Sequence, residues 1–369
     1  NTAKLDLGGK SVKPLATRSA GQLTHPWRVY TVTAASGVEK GFHMAGAPPR
    51  IVVLTAPGEG LPQGMEALQD DADLRVAEDT ASLEAALPGA SVLCVTDFRT
   101  DALAEAWPAA DSLEWIHATS AGVDALMIPA VRDSDIPVTN ARGIFDQCIA
   151  EYVLGQIIAF CKDFAGNWQL KQAHEWRHRE TEPVAGQRLL VVGSGAIGRR
   201  IARTCSAIGI ECDGVGRRAR GRDDDFGAIY AQADLLSLLP DYDFVVIAAP
   251  LTEATRGLFG AAEFKAMAEH ARLINIGRGP IVQTDALVAA LEDGAIDGAA
   301  LDVFEHEPLP ADHPLWDLPN VHLSAHMAGD FIGLKTALSE QFIDNFRRWQ
   351  RGEALNNPVD KAQGFAASS

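Results

Sequence analysis

Residues 191–202 read VVGSGAIGRRIA and decide the fold, because they join a β-branched run to glycines spaced G-x-G-x-x-G. Gly193 allows a tight turn from strand to helix, Gly195 leaves room for a pyrophosphate against the backbone, and Gly198 permits close packing of the helix on the strand. The amides at the start of such a helix favour an anionic ligand. LLVV before the glycines and the amphipathic IGRRIARTCSAIG after them supply the strand and helix that a dinucleotide site requires.

The composition is that of a globular protein. A chain of 369 residues, 47% of them hydrophobic and 22% charged, is long enough for two domains with separate cores. The formal net charge of −17 disfavours a nucleic acid or an anionic membrane as partner, since phosphate binding needs clustered Lys and Arg. No stretch is apolar enough to span a membrane. A local basic pocket remains compatible with this acidic surface.

The cysteines predict neither a disulfide framework nor a metal site. They are odd in number and lack C-x-x-C spacing, so a reducing cytoplasm is the expected compartment. They are Cys94, Cys148, Cys161, Cys205 and Cys212.

Residues 1–48 form a separate segment by composition. Its charges are mainly basic, it is rich in Ser, Thr and Gly, and it lacks hydrophobic periodicity. We therefore predict a disordered extension. A transit peptide, a leader, a tag or a misassigned start would each explain this composition.

From residue 50 the chain alternates short apolar runs with helical stretches, and this rhythm repeats after the glycine turn. It predicts an α/β protein with two doubly wound parallel-sheet domains, one flavodoxin-like for the substrate and one Rossmann domain for the cofactor, separated by a cleft. An apolar helix over 148–164 is expected to connect the two domains, to pack at their junction, or to do both. A second helix over 331–349, with Leu334, Leu338, Phe342 and Phe346 about one turn apart, is expected to cross back to the first half. The predicted domains are therefore 49–146 with 328–360 for the substrate, and 147–327 for the dinucleotide.

Three ionisable residues follow late strands and sit beside Gly or Pro: Arg278 in NIGRGP, Glu307 in FEHEPLP and His326 in LSAHMAG. Ligands bind at the carboxyl ends of strands in open α/β sheets, so these side chains are candidates for catalysis. The Arg fork can hold a carboxylate and polarise a carbonyl. The His can protonate a developing alkoxide, and the Glu can stabilise and orient the imidazolium. This combination suits hydride addition to a 2-keto acid.

The motifs GSGAIG, PLTEATRG, INIGRGPIV, GAALDVFEHEPLP and SAHMAG occur in one order. With them, residues 50–360 resemble the D-isomer-specific 2-hydroxyacid dehydrogenases, a family that includes glyoxylate and hydroxypyruvate reductases. The resemblance implies NAD(P)-dependent reduction of a small 2-keto acid to the D-2-hydroxy acid, and the reverse reaction. It assigns catalysis to Arg278, Glu307 and His326. Ala325 departs from the family, in which Pro commonly precedes the His.

The resemblance also implies ligand contacts. The loop TSAGVD, residues 119–124, would hold the substrate carboxylate on its amides. Asp302 would fix the nicotinamide amide, although a structural strand-end acid is an equal alternative. The implied substrate contacts are Ser120, Ala121, Gly122, Val123, Arg278 and His326. The implied cofactor contacts are Gly193, Gly195, Ala196, Ile197, Gly198, Pro250, Thr255, Ile276, Gly277, Asp302, His326 and Gly329.

The residues after the second strand of the nucleotide half favour NADP(H) over NAD(H). NAD sites place an acid there to bind the ribose hydroxyls, but this strand ends in GVGRR, with Gly216 where the acid is expected. Arg217 and Arg218, which follow, would attract a 2′-phosphate. Asp213 lies at a similar spacing but inside the strand. The alternative is a solvated loop whose arginines balance the aspartates at 223–225.

Two other functions stay open at this stage. Members of the same family resemble dinucleotide-sensing corepressors, and a phosphoglycerate or formate dehydrogenase is a rival within enzymes. The substrate is equally open among glyoxylate, hydroxypyruvate and bulkier 2-keto acids, because the sequence does not determine side-chain directions in the pocket. A homodimer is expected from the resemblance alone.

Overall fold

Two parallel β-sheets organise the chain in the computed structural model, which describes residues 47–96 and 101–362 and the backbone of residues 365 and 366. The disorder predicted for residues 1–48 falls, up to residue 46, outside the described residues. The α/β architecture with two parallel sheets agrees with the prediction. The described residues belong to one compact unit, and the domain limits given above stay a prediction.

The first sheet has five parallel strands in the order β2-β1-β3-β4-β5, which is the flavodoxin-like order. Four consecutive residues of its first strand are buried, as expected for a parallel strand covered on both faces. The strands are β1 (Arg50–Leu54), β2 (Asp73–Ala77), β3 (Ala90–Val95), β4 (Trp115–Ala118) and β5 (Val138–Thr139).

The second sheet has seven parallel strands in the order β12-β11-β10-β9-β6-β7-β8. The strand order reverses between β6 and β9, so the glycine turn after β6 lies at the switch point where α/β sheets bind ligands. The strands are β6 (Arg188–Val192), β7 (Glu211–Gly216), β8 (Ile229–Ala231), β9 (Phe244–Ile247), β10 (Arg272–Asn275), β11 (Gly298–Leu301) and β12 (Val321–Leu323). A short antiparallel pair follows near the C-terminus, β13 (Val359–Asp360) and β14 (Phe365–Ala366).

Ten α-helices lie in the described part of the chain. They are α1 (Thr80–Ala86), α2 (Ala102–Ala106), α3 (Pro129–Asp133), α4 (Asp146–Cys161), α5 (Phe164–Gln172), α6 (Ala196–Ser206), α7 (Leu235–Leu238), α8 (Ala261–Ala266), α9 (Thr284–Glu292) and α10 (Leu334–Gln350). Within residues 47–96 and 101–362 we find no helix with the length and apolar character needed to cross a bilayer.

The joining helix α4 ends earlier than the predicted 148–164. Asp163 has a left-handed backbone (φ 47°), which interrupts the helix. Its side chain then accepts a hydrogen bond from the amide of Gly166 at 2.9 Å and caps α5. One predicted helix is therefore two.

Helix α10 packs on the first sheet through Phe342 and Phe346. Both are fully buried in a cluster with Ile51 and Trp115, and the rings of Trp115 and Phe342 stack at 5.3 Å. The helix begins three residues after the predicted start, because Gly333 in front of it has a left-handed backbone (φ 98°). The C-terminal helix thus returns to the N-terminal half, beside the cleft described next.

Candidate active site

A cleft of about 340 Å³ is lined by residues that follow strands of both sheets. The loop after β4 contributes Ser120, Ala121 and Gly122. Loops after β10, β11 and β12 contribute Arg278, Asp302 and His326. Because parallel strands present their carboxyl ends at one edge, side chains far apart in sequence meet here.

The glycine turn between β6 and α6 has the form that a dinucleotide needs. Gly193 has φ 119°, and a Cβ there would lie 2.6 Å from the carbonyl carbon of Ala248. A Cβ on Gly195 would meet nothing within 4 Å, so the space beside this backbone is open. Helix α6 begins at Ala196 without a side-chain cap, which leaves its N-terminus suited to a phosphate. The turn therefore fits a pyrophosphate.

The other predicted cofactor residues divide into two groups. Ile197, Ile276, Asp302 and Gly329 line the cleft. The hydroxyl of Thr255, by contrast, donates to the carbonyl of Pro250 at 2.7 Å and accepts from the Thr252 amide at 2.8 Å, so it closes its own loop. In the loop after β10, the Gly277 amide donates to the side chain of Asn275 at 3.1 Å.

The end of β7 carries no acid at the predicted position. The strand ends at Gly216, and the exposed Arg217 and Arg218 follow it directly. Asp213 faces inward and accepts from the hydroxyl of Tyr242 at 2.8 Å and the amide of Ala228 at 2.7 Å. Its carboxylate is therefore committed to the packing of the sheet.

The aspartates at 223 and 225 form ion pairs with helix α6. Arg199 donates to Asp223 at 2.9 Å and also contacts Asp225, and Arg203 contacts Asp225. The hydrogen bond from Arg199 holds the pKa of Asp223 at about 2. Asp223 and Asp225 are thus paired with arginines of α6, and the loop residue Arg220 also contributes to the lowered pKa of Asp223.

His326 and Glu307 form a pair at the edge of the cleft, with 2.8 Å between Nδ1 of the imidazole and Oε2 of the carboxylate. The other carboxylate oxygen of Glu307 accepts from the Phe304 amide at 3.0 Å. Burial alone would raise the pKa of Glu307, but the hydrogen bonds with His326 and Phe304 and the charges of His326 and Arg278 outweigh it. The pKa of this carboxyl is therefore lowered, and it is a carboxylate at neutral pH.

Asp302 braces the loop that carries His326. It is 2% exposed, and its carboxylate accepts from Ser324 Oγ at 2.6 Å and from the amides of Met327 and Ala328 at 2.8 and 2.9 Å. Its own carbonyl accepts from the His326 amide at 2.8 Å. Asp302 therefore makes the hydrogen bonds expected of a structural acid at the end of a strand. It also lines the cleft, where the resemblance assigns it to the nicotinamide amide. The hydrogen bonds hold a loop that has Ala325 in place of Pro.

Arg278 lies against the loop after β4. Its Nε and Nη2 each lie 3.1 Å from Oδ1 of Asp124, and Nη1 donates to the Gly277 carbonyl at 2.8 Å. A Cβ on Gly122 would lie 1.8 Å from Nη2, so only glycine admits the guanidinium here. The guanidinium and the proposed carboxylate-binding loop are therefore in direct contact.

Asn140 supports that loop from the first sheet. It is 1% exposed, and its side-chain amide donates to the Ala121 carbonyl at 2.6 Å. Ser120 Oγ donates to the Gly122 carbonyl at 2.6 Å, while the side chain of Val123 points into the core of the first sheet. The loop backbone is thus held in one conformation beside Arg278.

Comparison with known proteins identifies the family. Residues 154–328 match the model of the "D-isomer specific 2-hydroxyacid dehydrogenase, NAD binding domain". The chain is 33% identical to a glyoxylate reductase of Thermofilum pendens over 277 residues, which cover 73% of this chain and 81% of that protein. The chain belongs to the D-isomer-specific 2-hydroxyacid dehydrogenase family.

Solved structures of related dehydrogenases share the whole fold. An NADPH-dependent glyoxylate/hydroxypyruvate reductase from Sinorhizobium meliloti, in complex with NADP and sulfate, is 28% identical with a TM-score of 0.75. A D-isomer-specific 2-hydroxyacid dehydrogenase from Xanthobacter autotrophicus, in complex with NADPH and MES, is 27% identical with a TM-score of 0.72. Each comparison covers 86% of this chain and 100% of the other.

Two residues of this dehydrogenase were not among the predicted site residues. Asp124 belongs to the motif TSAGVD, so the sequence placed it in the loop that the resemblance assigns to the substrate carboxylate, but its pairing with Arg278 was not predicted. Tyr152 on α4 contacts Ser324 Oγ at 2.7 Å and so extends the support of Asp302, and no sequence signal marks it. Within residues 47–96 and 101–362, no group of three or more His, Cys, Asp or Glu side chains could hold a metal ion.

Proposed function

We propose that this dehydrogenase catalyses NADPH-dependent reduction of a small 2-keto acid to the D-2-hydroxy acid, and the reverse reaction. The observation that carries the proposal is that Arg278 and His326, which is paired with Glu307, line one cleft together with Ile197 of the helix that follows the glycine turn. The relatives that are glyoxylate reductases support the reaction class.

The substrate carboxylate would bind to the amides of residues 121–123 and to Arg278. The guanidinium is already turned toward this loop, and its contact with Asp124 is exposed enough for a ligand anion to compete with it. Glycine at 122 keeps the approach open. Asn140 would hold the loop amides in place through its bond to Ala121.

Proton transfer would fall to His326. Nδ1 contacts Glu307, so Nε2 is the nitrogen that gives its proton to the carbonyl oxygen. When bound, NADPH supplies the hydride that reaches C2 of the substrate. Glu307 stabilises the protonated imidazole, and Arg278 stabilises the negative charge that builds on the oxygen. In the reverse reaction the neutral imidazole accepts the proton.

The test is an assay of NADPH oxidation with glyoxylate, hydroxypyruvate and longer 2-keto acids, followed by chiral analysis of the product. We expect turnover and the D-isomer. Tight NADPH binding without turnover of any keto acid would contradict the proposal and favour the corepressor-like alternative. An L-product would contradict the stereochemistry alone.

We further propose a preference for NADPH, supported by the absence of an acid at Gly216 and by the arginines after it. We expect kcat/KM to be higher with NADPH than with NADH. The double substitution Arg217→Ser with Arg218→Ser is expected to lower the NADPH/NADH ratio of kcat/KM by about 10- to 100-fold, because a hydrogen bond to a charged group contributes about 1.5–3 kcal/mol. Initial rates with both cofactors measure this ratio.

The control for this substitution is Arg347→Ser, which removes an exposed arginine near the end of α10. It should leave the ratio unchanged. A preference of the wild-type protein for NADH would show that Arg217 and Arg218 do not bind a 2′-phosphate. Equal losses with both cofactors in the double variant would indicate damage to the fold.

Replacing Glu307 with glutamine tests the proton-transfer pair. The hydrogen bond with His326 is one cause of the lowered pKa of Glu307, and the same coupling favours the protonated imidazole over the neutral one. Keto-acid reduction needs the protonated form, and the alkaline fall in kcat/KM should therefore move to lower pH by about one unit or more. Rates measured across about pH 5 to 9 give the profile.

The exposed neighbour Glu305 provides the matched control, as Glu305→Gln removes a nearby charge without touching His326. We expect no shift of the profile in that variant. An unchanged profile in a folded Glu307→Gln protein would exclude the proposed role of Glu307.

A homodimer stays a prediction. The surface that would suit it lies on and after α5, where Trp168 is 59% exposed and Trp176 fully exposed. Large aromatic side chains of this kind are enriched at protein interfaces.

A further inference from the structure

One wall of the cleft is apolar and comes from the segment after β1 and from α10. It is formed by Pro62 and Met65 from the loop after β1 and by Leu334 and Leu338 from the start of α10. We call these four residues the apolar wall. The proposed function uses none of them, and they stand in the same cleft as His326 and Arg278.

The apolar wall is held by packing. Met65 is fully buried in the core cluster that contains Phe342, so it supports the wall from beneath, while Pro62, Leu334 and Leu338 carry its partly exposed surface. A Cβ on Gly64 would lie 3.2 Å from the Cβ of Ser339, so the loop after β1 rests directly on α10. The position of this wall is therefore fixed by the hydrophobic core on one face of the first sheet.

The hydroxyls beside the apolar wall offer no hydrogen-bond donor to a ligand. Thr96 Oγ1 donates its proton to the Leu54 carbonyl at 3.1 Å, and Ser339 Oγ donates to the Lys335 carbonyl at 3.0 Å. A hydroxyl has one proton to donate. A substituent that accepts hydrogen bonds would thus find no donor at Thr96 or Ser339 to replace water.

The charges near the apolar wall disfavour a second acidic group on the substrate. Lys335 is paired with Glu59 at 3.4 Å across the mouth of the cleft. Asp330, a further acid, also lines the cleft. A second carboxylate on the substrate would face these two acids, whereas an uncharged chain would not.

From this arrangement we infer that the substrate is a 2-keto acid whose C2 substituent is an apolar chain of two or more carbons. The inference rests on the proposed function. With the carboxylate on the 121–123 loop and the carbonyl between Arg278 and His326, the substituent contacts the apolar wall. The relatives named glyoxylate or hydroxypyruvate reductases act on smaller or more polar acids.

The experiment compares 2-oxobutyrate with hydroxypyruvate. The two acids are nearly equal in size, but 2-oxobutyrate carries a methyl group where hydroxypyruvate carries a hydroxyl. We expect kcat/KM to be about 10- to 100-fold higher for 2-oxobutyrate, because an apolar pocket discriminates against an added hydroxyl to this extent. We also expect kcat/KM to rise from glyoxylate through pyruvate to 2-oxobutyrate. For 2-oxoglutarate, which carries a second carboxylate, we expect a low kcat/KM.

A kcat/KM for hydroxypyruvate or glyoxylate equal to or above that for 2-oxobutyrate would overturn this inference and leave the proposed function standing. Absence of turnover with every acid would overturn the proposed function as well. The two failures are therefore distinguishable in one set of assays on the unaltered protein.

The variant Leu338→Asn tests the contact itself. It should lower the ratio of kcat/KM for 2-oxobutyrate to that for hydroxypyruvate by about tenfold, since it places an amide in the apolar wall. Thr336→Asn, on the same helix but outside the cleft lining, should keep the wild-type ratio. A folded Leu338→Asn protein with the wild-type ratio would overturn the assignment of this wall to the substrate chain.

Discussion

Replacing His326 with asparagine is expected to lower kcat for keto-acid reduction by about 10²- to 10⁴-fold, the range that a general acid contributes. Asparagine has no proton to exchange near neutral pH, and it cannot form the charged pair with Glu307. It is the preferred substitution because residue 326 has φ 54°, and asparagine tolerates the left-handed region better than most residues. The backbone held by Asp302 should therefore persist.

The measurement is kcat with a saturating keto acid, together with NADPH binding followed by its fluorescence. Cofactor affinity should change much less than kcat, because most of the proposed cofactor contacts lie at the glycine turn and not at residue 326. His306→Asn, at an exposed histidine beside Glu307, is the matched control and should retain turnover. Retained turnover in the His326 variant would exclude this imidazole as the proton donor.

Arg278→Gln is expected to lower kcat/KM by about 10²- to 10³-fold, comparable with the loss of a donor to a developing oxyanion. In the proposed binding mode the guanidinium serves both the substrate carboxylate and the carbonyl oxygen, so KM should rise and kcat should fall together. Arg278→Lys keeps the charge but not the planar fork, and it should recover only part of the loss.

Asp124→Asn separates the role of Arg278 from that of its ion pair. This variant keeps the guanidinium and removes the carboxylate that contacts it. We expect a much smaller loss than in Arg278→Gln, because the group that binds substrate remains. Full activity in a folded Arg278→Gln protein would contradict the proposed binding mode.

The sequence predicted the two sheets because their signals are local. A strand such as RLLVV is buried on both faces and reads as a continuous apolar run, and the glycine turn marks its end. The convergence of Arg278, Glu307 and His326 was predictable for a related reason. Each follows a strand, and parallel strands end at one edge of the sheet.

Contacts between distant segments were not predictable. The pairing of Asp124 with Arg278 joins positions 154 apart, and the apolar wall joins the loop after β1 to α10. The alternation of apolar runs with helical stretches and the spacing of glycines predict which strands and helices form. The directions of side chains in loops depend on tertiary packing, which no short sequence pattern encodes. The predicted end of α4 and the predicted start of α10 were wrong because each depends on one residue with a left-handed backbone. These residues are Asp163, after α4, and Gly333, before α10.

The main chain and its neighbours anchor the exposed segment 217–222. It leaves the sheet at Gly216, its main chain bridges to Ile229 through residue 220, and the aspartates beyond it are clamped by Arg199 and Arg203. All six residues are exposed, so none of them belongs to the hydrophobic core. Under the proposed preference for NADPH, substitutions that change nucleotide selectivity would therefore fall on a surface segment that the core does not depend on.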